Sequence, residues 1–368
     1  MRFDIFCRVI DNFGDIGVCW RLARQLADLS SDHHITLWVD DLSRFQRIEP
    51  RVLDRPVQQL TPRLKVVHWT NNPALFEPGD VVIEAFNCDP PDSFVQAMVK
   101  RNSLWINLEY LSAEAWVEDC HALPSLQSNG LRKFFFFPGF TPRTGGLLRE
   151  PRLLRQHDLW LSQPQLRLAL LKQLGVSETH LQGLQNGWRQ ALLFGYPSAP
   201  VNGLIQALKA SHTPWLLLVP QGMHPGLVVH TNQHLCIVEI PFVSQDDFDR
   251  LLWSSDLNFV RGEDSLVRAL WAGKPMVWQI YEQTEDTHLI KLQAWLELSP
   301  YSSTIRRLMM AWNSQAERQV EDTLDTLLDG PAWADWQAQA SAWTQQLAKQ
   351  PSLAQSLEAF CAKNRQTS

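Results

Sequence analysis

The fold is decided by residues 3–29, which read FDIFCRVIDNFGDIGVCWRLARQLADL. The apolar run at residues 3–10 has the length of a buried strand, and a turn rich in Asp, Asn and Gly follows it. Beyond the turn, apolar residues recur at helical spacing, which predicts an amphipathic helix over residues 16–29. A strand, a short turn and a helix in this order predict the first unit of an α/β fold with a parallel sheet.

The same alternation of short apolar runs and amphipathic stretches continues along the chain in two series. The first series predicts strands at residues 3–10, 35–39, 65–69, 81–86, 104–109 and 133–138. The second series predicts strands at residues 190–195, 214–219, 235–241, 256–261 and 275–281. The sequence therefore predicts two α/β units of about six strands each, one after the other in the chain.

A segment dense in turn-forming residues, 139–146, separates the two series, so we expect the domain junction near residue 150. The C-terminal segment, residues 331–363, is helical in pattern, and a strand–helix unit does not require it. A chain of 368 residues suits two domains and such a tail. We expect an N-terminal domain over residues 1–150, a C-terminal domain over residues 151–345, and a helix over residues 346–368 that packs back on the N-terminal domain.

The composition is that of a folded protein with a mild negative charge. The 33 Lys and Arg residues against 39 Asp and Glu residues give a formal net charge of −6, and 45% of the chain is apolar. These values exclude a disordered chain, and an acidic chain without a basic run argues against a nucleic-acid binder. No window approaches the roughly 18 apolar residues of a transmembrane helix, and the N-terminus does not resemble a signal peptide. We therefore expect no membrane partner.

The cysteines and histidines show no metal-binding pattern. The six cysteines contain no CxxC pair, and the 11 histidines contain no HExxH or HxH cluster. We therefore expect free thiols in a reducing cytoplasm and no bound metal.

The turn at residues 11–17 is the first candidate site, because ligands of open α/β sheets bind at the carboxyl ends of the strands. Gly14 and Gly17 allow a ligand to approach the backbone closely, and the amides at the start of the next helix can hold a polar or anionic group. Asp11 and Asp15 add two carboxylates at the same edge. The plainer interpretation is that Asp15 caps the helix and Asp11 is a turn residue, and both interpretations remain open at this point.

The second candidate site lies in residues 258–275, where an apolar strand leads into an amphipathic helix. The first turn of this helix offers amides, the Ser265 hydroxyl and a positive macrodipole end to a phosphate. Arg261 can add a charged fork to a pyrophosphate, and Glu263 or Asp264 can accept hydrogen bonds from sugar hydroxyls. The plainer interpretation is an ordinary capped helix with an arginine on the surface.

Two α/β units with such a site late in the second describe the GT-B architecture of nucleotide-sugar glycosyltransferases. In that architecture two Rossmann-like domains face a central cleft, the donor binds the C-terminal domain, and a C-terminal helix crosses back to the N-terminal domain. The sequence also resembles one family, the EarP protein-arginine rhamnosyltransferases that modify bacterial elongation factor P. The motifs that carry the resemblance are residues 11–17, 19–24, 136–140, 144–150, 194–197, 220–222 and 261–265, in this order and spacing.

The resemblance implies an inverting transfer of L-rhamnose from dTDP-β-L-rhamnose to one arginine side chain of elongation factor P. It also implies that this modification activates the factor for the rescue of ribosomes stalled at polyproline. The enzyme would need no metal and no cofactor apart from the co-substrate, and it would act in the cytoplasm as a monomer. Its partners would be the protein acceptor and the nucleotide sugar.

By the same resemblance, Asp11 and Asp15 are the carboxylates on the acceptor side, with Asp15 favoured as the general base, and Glu263 faces the reacting sugar. The implied donor-binding residues are Asn12, Phe13, Gly14, Phe194, Tyr196, Phe242, Gln245, Arg261, Glu263, Asp264, Ser265 and Tyr281. For Phe242 and Tyr281, a role in the hydrophobic core is an equally open interpretation.

The acceptor presents a chemical difficulty, because an arginine guanidinium has a pKa above 12 and its nitrogens lack an available lone pair. Our hypothesis is that Asp11 and Asp15 clamp the guanidinium together, and that one of them accepts a proton late in the reaction. Two other enzymes on this fold remain alternatives: a glycosyltransferase with a small-molecule or lipid acceptor, and an epimerase of nucleotide sugars. A non-catalytic nucleotide-sugar sensor is the third alternative, but it would not need the two carboxylates.

Overall fold

The computed structural model describes residues 1–11, 13–70, 76–283 and 287–365, with residues 229 and 230 described by their backbone alone. The chain divides into two compact units, Met1–Pro151 with Lys349–Ser368, and Arg152–Ala348. The boundaries predicted from the sequence, after residues 150 and 345, lie close to these divisions.

The first unit is built on an eight-stranded sheet with the strand order β3-β4-β2-β1-β5-β6-β8-β7. Its strands are β1 Arg2–Cys7, β2 His34–Val39, β3 Val57–Thr61, β4 Leu64–His68, β5 Val81–Ala85, β6 Leu104–Leu108, β7 Pro124–Leu126 and β8 Arg132–Phe136. The six predicted strands form the parallel part of the sheet, whereas β3 and β7 pair antiparallel at its two edges.

The prediction of about six strands is wrong for this unit, because the two edge strands lack a buried apolar run. Every second residue of β3 is exposed, and β7 is only three residues long. A second difference concerns the first strand, which ends at Cys7 rather than at residue 10. Arg8 is exposed and Ile10 is 62% exposed, so residues 8–10 belong to the loop that carries the first candidate site.

The second unit is built on a five-stranded parallel sheet with the order β11-β10-β9-β12-β13. Its strands are β9 Arg189–Leu193, β10 Trp215–Pro220, β11 Leu235–Ile240, β12 Leu257–Arg261 and β13 Met276–Gln279. All five match strands predicted from the sequence. All six residues of β10 are buried, as expected for a parallel strand with both faces covered. Because β9 lies between β10 and β12, the loops that follow these three strands are neighbours at the carboxyl edge.

Helices cover the sheets of both units, and a short 3₁₀ helix lies at Leu227–His230. The helices are α1 Gly14–Leu29, α2 Leu42–Ile48, α3 Asp92–Arg101, α4 Trp116–Cys120, α5 Leu153–Leu161, α6 Pro164–Gln173, α7 Glu178–Gln185, α8 Val201–Ala210, α9 Gln245–Ser254, α10 Gly262–Ala272, α11 Thr287–Leu298, α12 Ser303–Asn313, α13 Glu317–Leu327, α14 Gly330–Leu347 and α15 Leu353–Arg365. Within the described ranges, none of these helices combines the length and the apolar character needed to cross a membrane.

The predicted helical tail consists of two helices that belong to different units. α14 lies in the second unit, where the Trp343 ring packs at 5.1 Å from that of Trp295 and the Trp333 ring lies 5.9 Å from that of Trp215. α15 lies in the first unit and packs against α1 and β6. Pro351 stands between the two helices, where its ring cannot continue a helix.

Candidate active site

The loop between β1 and α1 holds the Asp15 carboxylate in a fixed position. Asp15 lies in the first turn of α1 and is only 3% exposed. Its Oδ2 accepts hydrogen bonds from the backbone N–H groups of Ile10 and Asp11, at 2.7 and 2.8 Å. These amides belong to the preceding loop, so Asp15 does not cap its own helix, and the plainer interpretation of this residue is wrong. The N-cap position of α1 is Phe13, which makes no side-chain capping bond.

Burial raises the pKa of the Asp15 carboxyl above its ordinary value. The two backbone hydrogen bonds act in the opposite direction, and the negative charges of Asp11 and Asp40 raise the pKa further. The result is a carboxylate that is more basic than a solvated aspartate, at the carboxyl edge of the sheet where ligands of this fold class bind.

Asp11 lies directly against the start of α1. The Gly14 N–H donates to the Asp11 carbonyl oxygen at 2.6 Å, and a Cβ atom on Gly14 would lie 2.8 Å from Asp11 Oδ2. Glycine at this position therefore makes room for the Asp11 carboxylate. The loop also carries Phe13, whose ring lies 5.6 Å from the Arg47 guanidinium. Asn12, a predicted donor-binding residue, lies outside the described residues.

A third carboxylate, Asp40, supports this loop and was missed from the sequence. Asp40 directly follows β2, and its Oδ1 accepts a hydrogen bond from the Val9 N–H at 2.9 Å. The His68 ring contacts the Asp40 carbonyl oxygen through Nε2 at 3.1 Å. Part of the signal was present in the sequence, because an acidic residue that follows a parallel strand lies at the carboxyl edge of the sheet. Its place beside the β1–α1 loop depends on the pairing of β1 with β2, which only the structure shows.

In the second unit, Arg261 contacts the predicted residues that follow β9. Arg261 ends β12, and its Nη1 donates to the Gly195 carbonyl oxygen at 3.3 Å. The guanidinium lies 4.8 Å from the ring centre of Phe194 and 4.7 Å from that of Tyr196. Both distances fall within the range of a cation–π contact. The structure thus brings together Phe194, Tyr196 and Arg261, three predicted residues from distant segments of the sequence.

The other two predicted aromatic residues lie beside this group. The Tyr281 ring is 5.8 Å from that of Tyr196, and the Phe242 ring is 6.5 Å from that of Phe194. Tyr281 is 49% exposed and Phe242 is partly exposed. The alternative of a core role is therefore wrong for Tyr281, whose exposed ring is available to a ligand.

The start of α10 is shaped by Gly262 and Ser265. Gly262 has a φ of +63°, a conformation that favours glycine, and its carbonyl oxygen accepts a hydrogen bond from the Trp278 indole at 2.8 Å. The Ser265 hydroxyl donates to the Arg261 carbonyl oxygen and accepts from the Arg261 N–H at 3.2 Å. Ser265 therefore stabilises the turn that presents Arg261, while Glu263 and Asp264 occupy partly buried positions in the same turn.

Two further groups at this edge were not predicted. Gln279 ends β13, and its Oε1 accepts a hydrogen bond from the Tyr196 N–H at 2.7 Å, which fixes the backbone after β9. Behind the edge, Asp249 on α9 and Arg268 on α10 form a buried ion pair. Gln245, which was predicted, is buried at the start of α9. Gln279 could have been recognised from the sequence, because it is a polar residue at the end of an apolar strand. No local pattern marks the ion pair.

The predicted residues thus form two groups. Asp11, Phe13, Gly14 and Asp15 share the β1–α1 loop of the first unit. Phe194, Tyr196, Phe242, Gln245, Arg261, Glu263, Asp264, Ser265 and Tyr281 lie at the ends of strands or the starts of helices in the second unit. The first group supplies carboxylates for a cation, and the second supplies a guanidinium, aromatic rings and helix amides for an anionic ligand with a planar base.

Comparison with known proteins identifies the family of this chain. A family model described as elongation factor P (EF-P) rhamnosyltransferase EarP matches residues 3–362. The protein-arginine rhamnosyltransferase of Pseudomonas putida is 44% identical, over 97% of this chain and 98% of its own. A structure solved for EarP-mediated arginine glycosylation of translation elongation factor EF-P has a TM-score of 0.66 and 32% identity, covering 98% of this chain and 99% of its own.

A more distant neighbour supports the fold alone. Arabidopsis thaliana UGT89C1 complexed with UDP is 10% identical, with a TM-score of 0.55 over 98% of this chain and 99% of its own. The predicted GT-B fold is confirmed by these neighbours, and so is the family resemblance. The chain belongs to the EarP family of elongation factor P rhamnosyltransferases.

Proposed function

We propose that this protein transfers L-rhamnose from dTDP-β-L-rhamnose to one arginine side chain of elongation factor P, with inversion at the anomeric carbon. The modified factor would then rescue ribosomes stalled at polyproline. Family membership supports the reaction class, and one observation carries the proposal for this chain. The buried Asp15 carboxylate is held on one oxygen by two backbone amides, with Asp11 beside it.

The arginine acceptor requires such a site. Deprotonating a guanidinium at neutral pH costs about 7 kcal/mol, at roughly 1.36 kcal/mol for each pKa unit. The raised pKa of Asp15 reduces this cost but does not remove it. The proton must therefore leave the guanidinium late, as the bond from the attacking nitrogen to the anomeric carbon forms and the bond from that carbon to the phosphate oxygen breaks.

The two aspartates would divide this task. Oδ2 of Asp15 already accepts two amide hydrogen bonds, so we assign the transferred proton to Oδ1. Asp11 would bind the opposite side of the guanidinium and draw its positive charge away from the attacking nitrogen. Holding this nitrogen in line with the anomeric carbon would supply much of the remaining rate acceleration.

The second unit would bind the donor. The amides and positive dipole end at the start of α10, together with Arg261, would bind the diphosphate and stabilise it as the leaving group. Phe194, Tyr196 and Tyr281 would contact the thymine, and Glu263 would face the sugar. Arg261 and the helix supply the positive charge that a divalent metal provides in other transferases, so we propose a reaction without a metal or an added cofactor.

The same proposal includes a cytoplasmic, monomeric enzyme. All six cysteines are free thiols, which suits a reducing compartment. Elongation factor P and the nucleotide sugar would be its partners, with no role for nucleic acid or a membrane.

The test is a reconstituted reaction with purified components. Incubation of the protein with dTDP-rhamnose and elongation factor P should add one deoxyhexose to the factor, as measured by intact-protein mass spectrometry. Fragmentation should place the sugar on an arginine. A factor in which that arginine is replaced by lysine should stay unmodified. If the factor keeps its original mass while an enzyme of the family modifies it under the same conditions, the proposal is wrong.

A further inference from the structure

His224 is a buried side chain on an otherwise exposed turn. The turn follows β10, and within it Gln221, Gly222, Pro225 and Gly226 are exposed. His224 is only 6% exposed. The side chain is therefore directed into the protein, at the carboxyl edge of the second sheet.

The imidazole Nε2 is buried and has no hydrogen-bond partner among the described residues. Buried polar atoms in folded proteins nearly always have partners, because an unpaired one costs stability. A Cβ atom on Gly195 would lie 3.5 Å from this nitrogen and 3.1 Å from Gln279 Oε1. The glycine thus lets the imidazole and the Gln279 side chain pack closely against the strand end that also contacts Arg261.

The charges beside Nε2 favour an anion. Arg261 Nη1 donates to the Gly195 carbonyl oxygen at 3.3 Å, so the guanidinium and the imidazole approach the same glycine. Burial lowers the pKa of His224, and the positive charge of Arg261 lowers it further. The ring is therefore neutral at pH 7 and can present an N–H group at Nε2.

We infer that His224 binds the diphosphate of the nucleotide donor, with Nε2–H donating a hydrogen bond to a phosphate oxygen. This inference rests on the proposed function, which supplies the nucleoside diphosphate. A diphosphate carries negative charge that both the Arg261 guanidinium and the Nε2–H group can bind, whereas a thymine is neutral. When the bond between the anomeric carbon and the phosphate oxygen breaks, its electron pair moves to the diphosphate, so the hydrogen bond from His224 strengthens as the leaving group departs.

The test compares two ligands and two variants. Affinities for dTDP and for thymidine are measured by displacement of a fluorescent dTDP analogue, with the wild-type protein, His224→Leu and His224→Gln. His224→Leu should weaken dTDP binding about 10-fold, the size of one hydrogen bond to a charged group, and should leave thymidine binding unchanged. His224→Gln, which keeps an N–H donor near the position of Nε2, should recover most of the dTDP affinity.

His212→Leu is the matched control, because His212 is exposed and lies before β10, at the opposite edge of the same sheet. It should bind both ligands as the wild type does. Unchanged dTDP affinity in His224→Leu would overturn the inference, and so would an equal loss for dTDP and thymidine. A failure of the proposed function gives a different result. The wild-type protein would then bind dTDP, and His224→Leu would weaken that binding, but the protein would not modify elongation factor P.

Discussion

Asp249 and Arg268 form a two-pronged ion pair inside the second unit, with Nε to Oδ1 at 3.0 Å and Nη2 to Oδ2 at 2.6 Å. Their side chains are 6% and 1% exposed, so water does not screen the pair. Asp249 belongs to α9 and Arg268 to α10, the helices whose first turns carry Gln245 and Glu263. The ion pair therefore fixes the relative position of two helix starts in the candidate donor site.

Removing one partner of this pair should strongly destabilise the second unit. Arg268→Met leaves the Asp249 carboxylate buried without its counter-charge, which costs about 3–5 kcal/mol. Arg250→Met is the matched control, because the Arg250–Asp247 pair has the same 2.6 Å separation but its side chains are 44% and 33% exposed. That variant should lose about 0.2–1 kcal/mol. Urea unfolding, monitored by tryptophan fluorescence, measures the free energy of unfolding of both variants. Equal losses of this free energy would show that burial does not decide the strength of these pairs.

Asp15→Asn should abolish most of the transfer activity while leaving donor binding intact. A general base contributes roughly 10²- to 10⁴-fold to a rate, so the turnover number should fall by at least about 100-fold. Asparagine keeps an oxygen for the two amides that hold Asp15, so the loop should retain its conformation. Asp28→Asn changes an exposed carboxylate on the same helix and should leave turnover unchanged. Near wild-type turnover of Asp15→Asn would remove Asp15 from the role of base.

The same substitution should not weaken the fold at neutral pH. Burial raises the pKa of Asp15 in the folded state, so ionisation of this group above its unfolded pKa destabilises the protein. Asparagine carries no charge and avoids this cost. Thermal unfolding at pH 7 should therefore give Asp15→Asn a midpoint at or above that of the wild type, and a clear decrease would mean that the activity loss reflects damage to the fold.

The pH dependence of the reaction should report the raised pKa of Asp15. Only the carboxylate can accept a proton, so kcat/KM falls as the pH decreases through the pKa of Asp15. The fall should begin at a higher pH than the ordinary aspartate value of 3.8 would give. Asp40→Asn removes a negative charge that raises this pKa but keeps an oxygen for the Val9 N–H, so it should move the fall to lower pH. An unmoved profile would exclude this coupling.

The parallel strands could be predicted from the sequence, because a strand covered on both faces is mostly apolar along its length. The exposed edge strands β3 and β7 could not, since their residues do not differ from those of a loop. The β1–α1 loop was recognised by its two aspartates and two glycines. Its support from Asp40 depends on which strands are neighbours, and strand order is not written in any local pattern.

The residues of the proposed donor site could also be predicted only in part. Aromatic residues at strand ends were recognised, but a choice between ligand contact and core packing requires the exposure of each ring, as for Tyr281. The Asp249–Arg268 pair is invisible in the sequence for a related reason. Both residues lie on amphipathic helices among other charged residues, and only the packing of α9 against α10 buries these two.

Tyr281 provides a test of base stacking in the proposed donor site. Its ring is 49% exposed and lies 5.8 Å from the ring of Tyr196, so a thymine could stack on it without rearrangement of the core. Stacking of a base on an aromatic side chain is worth about 1–3 kcal/mol, so Tyr281→Ala should weaken dTDP and thymidine binding equally, by at least about 5-fold. Tyr281→Phe keeps the ring and should bind both ligands normally. A loss confined to dTDP would instead place the Tyr281 hydroxyl or ring near the phosphates, and a loss in Tyr281→Phe would assign the contribution to the hydroxyl.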